Sequence, residues 1–241
     1  MADLHEQNAH EHKREHKHEQ EHEHEREHEP RNRPHSRRHT TPSAPAPELR
    51  GDGLRLRPWD AESDSDVQTW LRGYSDPEFR RWNTPVKPVD AMEDARESLR
   101  LRAEWEAEGR CRSFCVTDAA TGSPLGHIGV NEIDHFMRNA RVGYWVLSEA
   151  RGRRIATRAL RLAARWAFTD LGMHRLELGH ALGHDASCRI AERCGFPYEG
   201  TLRGALFEEG RYDVFRDIHL HARLATDPEP EPEPDPEPRE A

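Results

Sequence analysis

Residues 141–171 read RVGYWVLSEARGRRIATRALRLAARWAFTDL, and the reading of this stretch decides the fold. Val142, Tyr144 and Val146, with the apolar residues between them, form a run of β-branched and aromatic types that stops at Ser148-Glu149, which predicts a strand. After it the period changes. Ile155, Ala159, Leu162 and Trp166 fall on one helical face with Ala156, Leu160, Ala163 and Ala167 beside them, while Arg154, Arg158, Arg161 and Arg165 fall opposite. A strand, a short turn and an amphipathic helix therefore follow one another.

The turn carries the chemistry. Ala150-Arg151-Gly152-Arg153-Arg154-Ile155-Ala156 puts small residues and guanidinium groups at a helix start, where unpaired backbone N–H groups point outward and attract anions. Ala150, Gly152 and Ala156 leave room for a pyrophosphate to approach the main chain, and Arg151 and Arg153 can add charge-assisted hydrogen bonds. The alternative is an arginine-rich helix start with no ligand.

Working outward, residues 174–181 predict a second strand, and 183–195 a helix closed by Gly195. The crossover through the long helix must make the two strands parallel, because so long a connection is no hairpin. Upstream, 54–57 reads as a short strand, and a helix follows with Val67, Trp70, Leu71 and Tyr74 on its apolar side. A second helix is expected over about 88–108. Hairpins join 111–117 to 124–134 and 124–134 to the opening strand, and the chain ends on strands over 196–207 and 212–224.

With these pieces in order, the chain resembles the GCN5-related N-acetyltransferase (GNAT) superfamily, and within it the branch of ribosomal-protein N-terminal acetyltransferases (RimJ/RimL). The matching residues are Gly143-Tyr144-Trp145, Arg151-Gly152-x-x-x-Ala156-Thr157-x-Ala159-Leu160, Trp166-Ala167-Phe168 with Leu171-Gly172, and His174-Arg175-Leu176-Glu177. Beyond them come Ala186-Ser187, Cys194-Gly195-Phe196, Glu199-Gly200, Leu202-Arg203 and Gly210-Arg211-Tyr212-Asp213. The resemblance covers 54–224. It implies a single α/β domain: a mixed, largely antiparallel sheet flanked by about four helices, with one parallel strand-helix-strand crossover and a splayed cofactor notch.

The resemblance further implies acetyl-CoA as co-substrate and a primary amine, on a protein N-terminus or a small molecule, as acceptor. Trp145, Val146 and Leu147 would line the pantetheine notch, with main-chain N–H groups near Val146 polarising the thioester carbonyl. Arg151, Gly152, Arg153, Arg154, Ile155, Ala156 and Thr157 would hold the pyrophosphate, and His184 would contact the cofactor. Ser187 would donate a hydrogen bond to the departing thiolate; the plainer reading is a helix serine bonded to local backbone. A general base must line the pocket, and Glu132 is the first candidate, with His127 beside it. Two departures stand out. Arg154 replaces a glycine common in the pyrophosphate turn, and His184 an asparagine common at the next helix start.

Composition divides the chain of 241 residues. The first 50 carry 10 of the 17 histidines, residues 19–29 alternate Glu with His or Arg except at Gln20, and 227–241 is a Pro-Glu/Asp run. These segments, 1–50 and 227–241, are expected to be disordered tails around a domain over 51–226. That domain holds 26 basic and 27 acidic residues, so it offers no charge argument for nucleic acid. Neither an apolar segment at the N-terminus nor a membrane-length run is present, so a cytoplasmic protein, monomeric or homodimeric, is expected. Cys111, Cys115, Cys188 and Cys194 show no zinc-type spacing, so no metal ligands are expected among them and reduced thiols are. Two rival functions stay open: a cofactor-binding module with little or no transferase activity, and metal binding or interaction through the histidine-rich tail.

Overall fold

The computed structural model describes residues 46–85, 87–208 and 210–230, all within one unit spanning 40–241. The expected tails fall almost wholly outside the described residues. Eight strands make one sheet: β1 (Leu49–Gly51), β2 (Leu54–Pro58), β3 (Arg112–Asp118), β4 (Pro124–Asp134), β5 (Asn139–Val146), β6 (Arg175–Ala181), β7 (Tyr198–Glu208) and β8 (Arg211–Leu224). Their order is β1-β2-β3-β4-β5-β6-β8-β7. Every neighbouring pair is antiparallel except β5 and β6, which are joined by the long helix in the parallel crossover that the sequence requires.

Among the described residues five helices flank the sheet: α1 (Asp64–Ser75), α2 (Pro77–Trp82), α3 (Met92–Ala107), α4 (Ile155–Thr169) and α5 (Asp185–Arg193). One more helix is present than the sequence suggested. α2 is only 6 residues long, too short to show a period, yet it has a strong start: Pro77 at its first turn and Asp76 accepting from the N–H groups of Glu78 and Phe79 at 2.9 and 3.0 Å. The helix expected over 88–108 begins later, at Met92, where the Asp94 carboxylate accepts from Ala91 N–H at 3.0 Å. None of the helices described is long and apolar enough to cross a membrane.

α4 behaves as its period dictates. Ile155, Ala159, Leu160, Ala163 and Ala167 are buried against the sheet, and its arginines turn outward to bond Asp52 O, Arg193 O and Glu229. Residues 225–230, beyond β8, stay on the domain, with Glu229 accepting from Arg223 at 2.9 Å. All four cysteines are free thiols.

Two of the contacts that fix α1 bear on the site. Asp66 forks onto the Arg57 guanidinium with two bonds of 2.6 Å, tying the helix to β2. On the sheet side Trp145 of β5 reaches under α1, where a Cβ built on Gly73 would lie 2.5 Å from its ring, so only glycine lets helix and indole meet. Trp59, Trp70, His127 and Trp145 then form one aromatic cluster, with Trp70 at 5.0 Å from Trp59 and 5.1 Å from His127 between ring centroids. Trp59 Nε1 donates to His127 Nδ1 at 3.1 Å.

β4 and β5 approach equally closely. A Cβ on Gly126 would meet the Trp145 carbonyl oxygen at 2.3 Å and Val146 Cα at 3.0 Å, and both are backbone atoms that cannot swing aside. The variant Gly126→Ala is expected to lose about 1–3 kcal/mol of stability, read as a lower urea midpoint with an unchanged slope.

Candidate functional site

The site begins where two strands part. β5 and β6 pair only at Asn139–Arg175, Ala140–Leu176 and Arg141–Glu177, although β5 runs on to Val146 and β6 to Ala181. Leu147 N–H donates to Leu125 O at 2.9 Å, so alternation along an antiparallel strand turns the N–H groups of Tyr144 and Val146, which lie beyond the last β5–β6 pair, the other way, toward the gap. The expected notch is therefore present, lined by unpaired main-chain groups.

Beyond β5 a 3₁₀ turn (Ser148–Ala150) leads into Arg151-Gly152-Arg153-Arg154 and then α4. Gly152 and Arg154 both take left-handed backbone angles, with φ of 76° and 56°. No side chain caps α4, and Arg158 N–H, bonded to Arg154 O at 3.1 Å, is the first inside the helical ladder. The N–H groups of Ile155, Ala156 and Thr157 thus point out of the helix end. They face a cleft of about 470 Å³ bounded across from them by Gly73, Phe79 and Trp82. Arg151, Arg154, Arg189 and Arg193 line the same cleft against one acid, Glu78, so its field favours an anion.

A second cavity of about 240 Å³ opens on the other side of the gap, between Tyr144 of β5, Leu178 and His180 of β6 and Ile218 of β8. Five residues line both spaces: Trp82, Asn83, Tyr144, His184 and Ser187. At this junction Tyr144 O–H donates to Ser187 Oγ at 3.3 Å, and Ser187 Oγ lies 3.2 Å from His184 Nδ1. The His184 ring stacks on Trp82 at 4.6 Å and 3°, and the guanidinium groups of Arg81 and Arg216 lie over that indole at 4.8 and 5.7 Å.

Of the residues singled out from sequence, Trp145, Val146, Arg151, Gly152, Arg154, Ile155, Ala156, Thr157, His184 and Ser187 line the large cleft. The Trp145 indole itself is buried in the aromatic cluster. Leu147 is buried with its N–H already used, and Arg153 pairs at 3.7 Å with Asp118; neither lines the cleft. Arg151 holds Asp76 at 2.5 Å and so ties the turn to the start of α2. Glu132 does not join Ser187. It is exposed, has a φ of 50°, and pairs with Arg141 at 3.3 Å outside both cavities. His127 is enclosed among the tryptophans, where burial first and the Arg102 charge second hold its pKa well below the usual histidine range. Sequence reasoning missed the junction residues Trp82, Asn83 and Tyr144 as a set, because they come from separate elements; the Asp76-Pro77 helix-start signal before Trp82 was the one available clue.

A mixed sheet with one opened parallel pair, set against an uncapped and arginine-rimmed helix start, defines an α/β domain of the acetyltransferase class. Residues 53–197 match the acetyltransferase (GNAT) domain family. The chain belongs to that family, in its RimJ/RimL-like branch. It is 35% identical over 91 residues to the putative ribosomal N-acetyltransferase YdaF of Bacillus subtilis, 38% of this chain and half of that protein's length. It is also 33% identical over 161 residues to the probable N-acetyltransferase YjcK of the same organism, 64% of this chain and 86% of that one. Mycobacterium smegmatis RimJ in complex with CoA-disulfide superposes with a TM-score of 0.64 at 26% identity, over 74% of this chain and 86% of that one.

His184 sets the pH response of the junction. Burial foremost, then neighbouring His180, lowers its pKa from 6.5 to about 4, with Glu78 opposing. Between those values the unfolded chain binds a proton at this position that the folded chain refuses, so the stability it contributes is full above about 6.5 and is lost as pH falls through about 4. His184→Gln is expected to lose less stability than the parent between pH of about 7 and about 4.5, compared by urea midpoints at both values.

Proposed function

We propose that the chain moves an acetyl group from acetyl-CoA to a primary amine, by direct attack of the amine in a ternary complex. The observation that carries this reading is the junction, where the notch between β5 and β6 meets both an anion-favouring cleft and a separate cavity open to an acceptor. Acetyl-CoA supplies the activated acyl group. Its fit is supported by unpaired N–H donors at Val146, Ile155, Ala156 and Thr157, by the arginine rim, and by the CoA compound held by the M. smegmatis relative.

Positioning carries most of such a reaction. Val146 N–H is aimed into the gap, where it can polarise a carbonyl oxygen. Ser187 Oγ is held from two sides, by Tyr144 O–H and by His184 Nδ1, and in the tautomer that carries the ring proton on Nδ1 both donate to it, which frees the serine hydrogen to point at a departing thiolate. His184 suits that part because its lowered pKa keeps it a neutral ring with a single N–H. Among the described residues no carboxylate lines the acceptor cavity, so the proton lost by the amine leaves through water in the open cleft. The apolar walls and the neutral histidines favour an amine that arrives uncharged.

The acceptor is a protein N-terminus or a small-molecule amine. YdaF carries the name of a ribosomal N-acetyltransferase, which favours the first. Acetyl-CoA is expected to raise the unfolding temperature, and a panel of N-terminal peptides, polyamines and amino acids should contain an acceptor that releases free thiol. With that acceptor, Ser187→Ala is expected to lower kcat roughly 100-fold while KM for acetyl-CoA stays within about twofold. Stabilisation without thiol release from any amine would leave a binding module instead.

A further inference from the structure

Behind the junction, three side chains from three different elements converge, one of them from the wall of the acceptor cavity. They are His180 of β6, Cys188 of α5 and His219 of β8. Cys188 Sγ lies 3.3 Å from His180 Nε2 and 3.4 Å from His219 Nδ1, and all three atoms fall within 4.8 Å of one another. The sulphur-to-nitrogen edge of a tetrahedral zinc site, with bonds of about 2.3 and 2.0 Å, is about 3.5 Å. The donors are therefore already spaced for one ion at their centre.

The surroundings orient them as ligands. His180 Nδ1 is 3.1 Å from Ala181 O, so it carries the ring proton and leaves Nε2 as a lone pair aimed at the sulphur. His221 stacks on His180 at 5.4 Å, with its own Nδ1 held by Phe196 O at 3.0 Å, and the Tyr198 ring abuts His219 at 5.0 Å. One thiol with two imidazoles is a borderline-soft set that suits zinc and cobalt rather than magnesium or calcium. No other such group of three is present among the described residues.

We propose that His180, Cys188 and His219 bind one divalent zinc-type ion, with water in the fourth position, clamping α5 to β6 and β8 one residue from Ser187. On binding, the Cys188 S–H bond breaks, its proton passes to solvent, and the sulphur bonds the metal; nothing is oxidised or reduced. The inference does not depend on acetyl transfer. The ligands are 8 and 31 residues from Cys188, which is why no metal-site spacing appears in the sequence.

Cobalt(II) titration of the full-length chain under reducing conditions tests it. The histidine-rich residues 1–50 contain no cysteine, so cobalt held there gives no thiolate-to-cobalt absorption. The expected result is a near-ultraviolet thiolate band and intense tetrahedral visible bands that saturate at one equivalent and are displaced by zinc. Cys188→Ser should abolish the thiolate band, and His219→Ala should weaken cobalt affinity at least about tenfold, with both variants checked for folding by circular dichroism. No thiolate band in the folded parent overturns the proposal, as does a band that survives Cys188→Ser. If the serine variant fails to fold, undiminished affinity in a folded His219→Ala does the same.

Discussion

Everything at the site follows from one unmade set of hydrogen bonds. β5 is fully paired to β4 from Gly126–Val146 down to Asn131–Arg141, and β6 is fully paired to β8 from Arg175–Leu224 to Ala181–Ile218. Each strand is therefore secure on its outer edge, and the two can separate after Arg141–Glu177 without either becoming unstable. A sheet interior is normally an expensive place to leave N–H and C=O groups open. Here the opened edge faces a cleft, and an extended ligand can restore the bonds that the partner strand would have made. The two cavities meet because the strands part.

Holding β5 away from β6 requires that it be gripped elsewhere, and the grip is aromatic. Trp145 reaches to the opposite face, under Gly73, and joins Trp59, Trp70 and His127, so the strand that carries the open N–H groups is anchored to α1. α1 in turn runs into Asp76, which both starts α2 and receives Arg151 from the anion-binding turn. α2 ends on Trp82, stacked against His184. A chain of contacts thus connects the sheet interior to the lid of the junction, and the turn at Arg151 and the ring at His184 are positioned by the same short helix.

The sheet, the long helix and the anion-favouring turn were legible in the sequence because each rests on a local pattern: alternation in β5, a wide apolar stripe in α4, small residues and arginines between them. The parallel crossover followed from connection length alone. What period could not supply was which strand residues face the site. Glu132 shows why. The β4–β5 register shifts between Asn131 and Asp134, and Glu132 takes a left-handed φ, so alternation counted along the strand fails at that residue and its carboxylate reaches Arg141 instead of the cleft. The Tyr144-Ser187-His184 group was hidden for a different reason: its members are 43 and 3 residues apart and meet only after β6 has been laid beside β5.

Arg154 tests how far side-chain identity matters at a main-chain site. The turn needs two left-handed residues, Gly152 and Arg154, to swing successive N–H groups toward one point before the helix begins. Glycine occupies the first without cost, whereas an arginine in this conformation gives up about 1–2 kcal/mol. The chain tolerates that cost because the arginine backbone still closes the helix, its carbonyl accepting from Arg158, while the residue still lines the cleft. The substitution therefore exchanges backbone ease for charge. The geometry on which anion binding depends belongs to the main chain, so it survives the loss of the glycine.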